Sequence, residues 1–375
     1  MSPRTLIDVS APVERALLVG APRKGTKDAR DVEEHLDELA RLADTAGAKV
    51  VGRIVQVVAA PNPEFYVGRG KVQEIGTRIA DTGTTVIVFD EELSPRQGKH
   101  LEDELKVRVM DRTELILDIF ALRARSREAR MQVELAQLEY LLPRLTRMWA
   151  HLSRIRGGIG LRGPGETQLE TDRRMIRQKI GVLKAKLTEV TEHRSRVRDR
   201  TRERGVLRVA LVGYTNAGKS SLLRALTKAS AHVEDRLFAT LDTQSRETML
   251  DGRRVRFTDT VGFIRKLPHG LVASFRATLE EAQDADVLVH VVDVSHPAWE
   301  EQARVVGEVL ADAGLGEGRQ VVALNKADRL GPEAGARALR EAAADGHEAE
   351  LVSAQTSAGV HSLGSRLLAA GRPEA

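Results

Sequence analysis

The 375-residue chain contains no cysteine. That excludes a disulfide scaffold, zinc-thiolate and iron–sulfur sites, and a cysteine nucleophile. Aromatic residues are scarce, at 3%, so any core must rest on Leu, Val, Ile and Ala. No run approaches the roughly 20 apolar residues of a membrane-spanning helix, and Met1 to Ser10 shows no apolar signal segment. The lack of thiols suits a reducing compartment, so a soluble cytoplasmic protein is expected. What is present is 42% apolar and 30% charged residues, too apolar for a disordered chain. The length admits two or three domains of roughly 100–200 residues each.

Positive charge is unevenly placed. Residues 121–207 hold 21 Lys and Arg against 10 Asp and Glu, a net of +11; since the whole chain is +4, the remainder is −7. Arg outnumbers Lys by 45 to 13, and its planar fork suits phosphate recognition. A segment-wide excess opposed by negative charge elsewhere points to a polyanionic partner, nucleic acid first.

Three regions differ in period. In the first, Ala16-Leu17-Leu18-Val19, Lys49 to Ala59, Thr85 to Phe89 and Val107 to Met110 read as strands. Helical spacing over Val32 to Leu42, Lys71 to Ala80 and Ser94 to Leu105 separates them, which implies a small α/β domain with a largely parallel sheet. The second region carries two heptad stripes: Met131, Leu135, Leu138, Leu142, Leu145, Trp149 and Leu152, then Ile176, Ile180, Leu183, Leu187 and Val190. Neither can stand alone, so an antiparallel helical hairpin is expected, kinked at Pro143. Its tip, Gly157 to Thr167, holds five glycines and one proline and is flanked by Arg154, Arg156, Arg162, Arg173 and Arg174. Thr167-Gln168-Leu169-Glu170 fits a capping box that would start the second helix. The third region is again α/β, with strand-like runs at Arg208 to Val212, Val255 to Thr258, Val287 to Val292 and Val321 to Leu324, and Asp251-Gly252 as a tight hairpin turn. The expected domains are 1–112 (the first ~14 residues loose), 113–207 and 208–375.

Chemistry concentrates in the third region. Gly213-Tyr214-Thr215-Asn216-Ala217-Gly218-Lys219-Ser220 lies between an apolar strand and a helix and matches a phosphate loop. Its backbone N–H groups and the helix N-terminus would hold phosphates, Lys219 would neutralise the β/γ-phosphates, and the Ser220 hydroxyl would ligate Mg²⁺. Asp259-Thr260-Val261-Gly262 ends a later strand; Asp259 would hold Mg²⁺ through water, and the Gly262 N–H would read the γ-phosphate. In Asn325-Lys326-Ala327-Asp328, a carboxylate can accept from guanine N1–H and the 2-amino group, donors that adenine lacks. Asn325 would brace the loop, the Lys326 stem would cover the base, and Ser353-Ala354-Gln355 would supply backbone contact to the guanine oxygen. A switch threonine over Mg²⁺ and γ-phosphate is expected in Phe238-Ala239-Thr240-Leu241-Asp242, with Thr240 ahead of Thr243. The ligands are thus GTP and GDP with Mg²⁺ held by Ser220 and Thr240; Lys219, Thr240 and Gly262 are the catalytic candidates. Phe263 stands where many GTPases carry a glutamine that orients water, so slow intrinsic hydrolysis and an outside activator are expected.

GGIGLRGPGETQLETDRR (Gly157 to Arg174), followed by GYTNAGKSS, FATLD, DTVGF and NKAD, resembles the HflX family of translational GTPases. Tyr66-Val67-Gly68-Arg69-Gly70-Lys71 and Asp111-Arg112-Thr113-Glu114 extend the resemblance into the first region. It implies a GTPase that binds the 50S ribosomal subunit and its rRNA through the Gly-rich tip, with the 70S particle a further candidate. It also implies splitting or rescue of ribosomes under stress, or a part in their biogenesis. The fold so implied is an N-terminal α/β domain, an antiparallel helical arm and a P-loop G domain with a mostly parallel sheet, acting as a monomer. A nucleotide-gated rRNA-binding assembly module with incidental hydrolysis is the alternative; an ATPase or kinase is opposed by Asn325 to Asp328.

Overall fold

The computed structural model describes residues 13–145, 164–201, 205–228, 237–238, 240–241, 243–266, 282–315, 319–344 and 346–371. Two compact units emerge. One comprises Met1–Ile119 with Leu141–Asp172, the other Phe120–Tyr140 with Arg173–Ala375.

In the first unit, four short strands form an all-parallel sheet: β1 (Arg15–Gly20), β2 (Lys49–Val55), β3 (Val86–Phe89) and β4 (Arg108–Asp111), in the order β2-β1-β3-β4. Parallel strands need helical crossovers and are covered on both faces. Leu17, Val19, Ile87 and Phe89 pack on one side against Val72 and Ile75 of helix Arg69–Thr82 and Leu101 of helix Pro95–Leu105. The latter helix starts with a full capping box between Ser94 and Gln97. Helix Val32–Thr45 packs on β1 and β2 and buries Leu36, Leu39 and Leu42, the period expected from sequence. Beyond β4, the Asp111 carboxylate accepts from the Glu114 N–H (3.0 Å) and so caps helix Arg112–Arg123. Arg112 is buried between Glu38 and Asp90, the latter at 2.8 Å, tying this helix start to helix Val32–Thr45 and the end of β3. Tyr66 to Lys71 forms a turn into helix Arg69–Thr82, with Gly68 at its N-cap.

The second unit has a six-stranded sheet: β5 (Leu207–Gly213), β6 (Gln244–Leu250), β7 (Arg253–Asp259), β8 (Val287–Asp293), β9 (Gln320–Asn325) and β10 (Glu348–Leu351). The order is β10-β9-β8-β5-β7-β6, parallel except for β6. Asp251 (φ 45°) and Gly252 (φ 80°) make the tight turn between β6 and β7. β5 is central, and the chain leaves it first towards β7 and then returns on its other side as β8. This reversal of winding leaves a crevice at the carboxyl ends of the strands, where ligands bind in such sheets.

Helix Arg127–Leu141 is capped by Ser126, whose hydroxyl accepts from the Ala129 N–H (3.0 Å). Helix Pro164–Thr201 runs 38 residues. Ile176, Ile180, Leu183, Leu187 and Val190 are among its less exposed positions, while Arg174, Arg177, Lys184 and Lys186 face solvent.

Three expectations for this region change. Pro143 ends the first helix at Leu141 rather than kinking it, and a turn follows in which the Arg144 N–H bonds to Leu141 O (2.8 Å). Proline's missing N–H and its clash with the preceding turn account for the stop. The antiparallel hairpin is likewise not the arrangement at the contact that is described. Lys179 pairs with Glu134 and Lys184 with Glu139, so the pairs advance in the same sense along both helices. The long helix also begins at Pro164, ahead of the capping box expected at Thr167; proline suits a first helical turn because that N–H has no helical partner. Trp149, Leu152, Arg154, Arg156, Arg162 and the glycines from 157 to 163 lie outside the described residues.

Candidate nucleotide site

The site is built at the carboxyl ends of β5, β7 and β9. Tyr214 to Ser220 leaves β5 and enters helix Lys219–Thr227. Asn216 (φ 60°) and Gly218 (φ 95°) are left-handed, an alternation that turns successive N–H groups into one concavity. A Cβ on Gly218 would lie 2.3 Å from Asn325 Nδ2, so this loop can approach β9 only as glycine.

Lys219 is buried, and its Nζ donates to the carbonyls of Gly213 (3.1 Å) and Tyr214 (2.9 Å). Burial pushes its pKa down to about 8, against the pull of Asp259. Among the described residues this buried ammonium bonds to neutral carbonyls, which leaves it a ready partner for an anion. Ser220 Oγ donates to Asp259 Oδ2 (2.6 Å) and lies 2.8 Å from Thr240 Oγ1. Burial raises the Asp259 pKa, opposed by Lys219 and Ser220, and its Oδ1 is buried with no hydrogen-bond partner. Two hydroxyls and a carboxylate with an unused buried oxygen are the hard donors that suit Mg²⁺, so the residues present fit that ion.

Asp259-Thr260-Val261-Gly262 is fastened from two directions. Thr260 Oγ1 donates to Leu211 O (2.7 Å). Phe263 N–H donates to Gly213 O (3.0 Å), and Phe263 O accepts from the Thr215 N–H (2.6 Å). Gly262 lies against the phosphate loop: a Cβ there would stand 2.7 Å from Thr215 Cα and 2.9 Å from Lys219 Nζ. Phe263 is buried and engages the loop through its backbone. From the other side, Thr215 Oγ1 accepts from the Phe238 N–H (3.0 Å). Leu241 is buried, whereas Ala239 and Asp242 lie outside the described residues.

At the opposite end, Asn325 is buried at the end of β9. Its Nδ2 donates to Ala217 O (2.8 Å) and its Oδ1 accepts from the Ala354 N–H (3.0 Å). One side chain therefore braces the phosphate loop and Ser353-Ala354-Gln355 together. Lys326 (φ 62°) is held by Asp293 at 2.7 Å, and Asp328 sits exposed on the turn Ala327–Arg329. The Ala327 N–H bonds to Val352 O (3.1 Å), which joins this turn to the strand leading into Ser353. Sequence reading missed Asp293; its only signal is an acidic residue closing the apolar run of β8. The tyrosine at 214 also has a part not foreseen, since its Oη accepts from the Arg265 N–H (2.9 Å).

Family models described as GTP-binding GTPase N-terminal, GTP-binding GTPase Middle Region and 50S ribosome-binding GTPase match residues 33–121, 123–201 and 208–326. The GTPase HflX of Caldanaerobacter subterraneus subsp. tengcongensis is 51% identical over 84% of this chain and 73% of its own length. That of Lacrimispora saccharolytica is 47% identical over 96% and 83%, and that of Escherichia coli 46% identical over 84% and 74%. Among solved structures, SsGBP with GDP aligns at 25% identity with a TM-score of 0.55, covering 95% of this chain and 98% of that one. A GTP-binding protein of Sulfolobus solfataricus with GDP shares the fold at 24% identity and a TM-score of 0.50, covering 96% and 99%. Among the described residues, no helix is long and apolar enough to cross a membrane. With the nucleotide loops gathered in this order and identities of this size across most of its length, the chain belongs to the HflX GTPase family.

Proposed function

We propose that this chain is a Mg²⁺-dependent GTPase of the cytoplasm that acts, as a monomer, on the 50S ribosomal subunit, in splitting or rescuing ribosomes under stress or in their assembly. The observation that carries the nucleotide reading is Asn325, which joins the phosphate loop to the loop expected to read guanine. In this reading residues 213–220 wrap the phosphates, Lys219 meets the β/γ-phosphates, and Asp328 selects guanine over adenine. Magnesium bound at Ser220 and Thr240, with Asp259 behind, would offset charge on the β- and γ-phosphoryl oxygens. Gly262 presents its N–H where the γ-phosphate would lie, and Thr240 closes from the other side. Phe263 offers no side-chain polar group to orient water, so turnover is slow until a partner supplies one. The three parts 1–112, 113–207 and 208–375 then serve as a ribosome-facing domain, a basic arm and a switch. The +11 charge of residues 121–207 and the solvent-facing arginines of helix Pro164–Thr201 support an RNA partner for the arm.

Co-sedimentation with 50S, 30S and 70S particles in GDP, GTP and a non-hydrolysable analogue tests this, paired with single-turnover GTP cleavage with and without 50S. Preferential pelleting with 50S in the GTP-like state and strongly stimulated cleavage are expected. Binding indifferent to the nucleotide would refute the switch. Tight GTP-dependent binding without stimulation would favour a nucleotide-gated assembly module.

A further inference from the structure

One contact of the switch segment lies outside the nucleotide site. The ring of Phe238 packs edge-on against Phe120, with centroids 4.6 Å apart and planes at 78°. Both side chains are fully buried. Phe120 belongs to helix Arg112–Arg123, distant in sequence from every nucleotide loop, yet it falls in the same compact unit as the phosphate loop. Phe238 holds a left-handed backbone (φ 54°), which a bulky residue keeps only when its surroundings impose it. Two contacts do so here: its N–H bonded to Thr215 Oγ1, and its ring seated on Phe120. Thr240, two residues on, bonds to Ser220 at the proposed magnesium site.

From Phe120 the contacts continue outward. Phe120 O accepts from the Ala124 N–H (2.9 Å), and Ala124 O accepts from Arg130 Nε (3.2 Å) in helix Arg127–Leu141. That helix is paired to the long basic helix through Glu134 with Lys179 and Glu139 with Lys184. Within one unit, a series of contacts thus runs from Phe238, two residues before the threonine expected to close over the nucleotide, to the basic arm.

We propose that Phe120 is a positioning residue. Through its seat for the Phe238 ring it sets the switch segment, and through it the nucleotide's state reaches helices Arg112–Arg123 and Arg127–Leu141. This rests on the nucleotide reading above. When Thr240 engages or releases its ligands, Phe238 is carried with it over two peptide units. An aromatic pair packed edge-on at this distance tolerates few intermediate arrangements, so the helix must follow or the pair must part.

The test uses the full chain and no ribosome. Amide hydrogen exchange over residues 112–141 is compared between GDP and a non-hydrolysable GTP analogue, in wild type, Phe120→Leu, Phe238→Leu and the double variant, with mant-GDP affinity measured beside it. In wild type the two nucleotides should give different exchange across this stretch. In Phe120→Leu that difference should fall at least fivefold while mant-GDP affinity stays within twofold, a combination that loss of packing alone would not produce. The double variant should add nothing to Phe120→Leu. Phe120→Met keeps volume and a polarizable contact with the ring; it serves if the leucine variant folds poorly and should retain part of the difference. A wild-type chain that binds guanine nucleotide without altering exchange at 112–141, or a Phe120→Leu difference equal to wild type, overturns the proposal. A chain that binds no guanine nucleotide overturns the function proposed above, and this inference with it.

Discussion

Asn325→Ala is the most informative single change at the nucleotide site. The Asn325 side chain is 1% exposed and makes two hydrogen bonds, to Ala217 O at 2.8 Å and from the Ala354 N–H at 3.0 Å. Alanine leaves both backbone groups without this partner. A buried polar group left unpaired costs roughly 1–3 kcal/mol. Taking the lower half of that range for each of the two groups gives about 3 kcal/mol in all. Expressed wholly as stability, that is about 6–12 °C in the melting of a unit of this size. Expressed wholly as lost affinity for GDP, it is about a hundredfold. Thermal melts and mant-GDP titrations of the full chain would measure the two shares, which should sum to about 3 kcal/mol by the same conversions. Asn325→Asp separates hydrogen bonding from packing. It removes no volume and still accepts from Ala354, but sets an oxygen against Ala217 O, so it should cost at least as much. A variant pair that melts within about 2 °C of wild type and binds GDP within about threefold, both inside ordinary surface-substitution effects, would refute the brace.

Two further outcomes follow from particular groups. Asp328→Asn removes the carboxylate expected to accept two hydrogen bonds from guanine; GDP affinity should fall about a hundredfold, at roughly 1.5–3 kcal/mol for a bond to a charged group, and xanthosine diphosphate should become the better ligand. Unchanged GDP affinity in competition titrations would remove Asp328 from the base site. His290, buried on β8 with Nε2 unpartnered, has its pKa pushed down to about 4 by burial, with His347 and Lys219 acting in the same direction. The unfolded chain therefore takes up this proton first, near pH 6.5, and stability is lost as pH falls from there to about 4. The loss between pH 7 and 5 should be about 2 kcal/mol in urea titrations, and His290→Leu should abolish it; equal losses in both proteins would refute the assignment.

Strands buried on both faces announced themselves as apolar runs. β5, β8 and β9 stand within a residue or two of where their valines and leucines place them. β10 did not, because an edge strand of sequence Glu-Ala-Glu-Leu has no apolar run to show. Asp251-Gly252 was legible because a turn with two positive φ values restricts residue choice. The heptad stripe across Pro143 misled for a physical reason: side-chain spacing reports which face is apolar and says nothing of the backbone hydrogen bond that proline removes. At the candidate nucleotide site, the motifs named Lys219, Ser220, Asp259 and Asn325, residues that the structure brings to the carboxyl ends of β5, β7 and β9. Their mutual contacts were not readable, nor was the hold of Asp293 on Lys326, since these depend on the strand order.

The unit that holds the nucleotide loops is discontinuous in the chain, with Phe120–Tyr140 synthesised well before Arg173–Ala375. During translation that early helical piece must wait for partners made later. A truncation beginning near Leu207 would likewise strip the seat from beneath the Phe238 ring, leaving that ring open to water. Enzymology on such a fragment would be done without the packing beneath Phe238, so excising these helices is no neutral control for their absence.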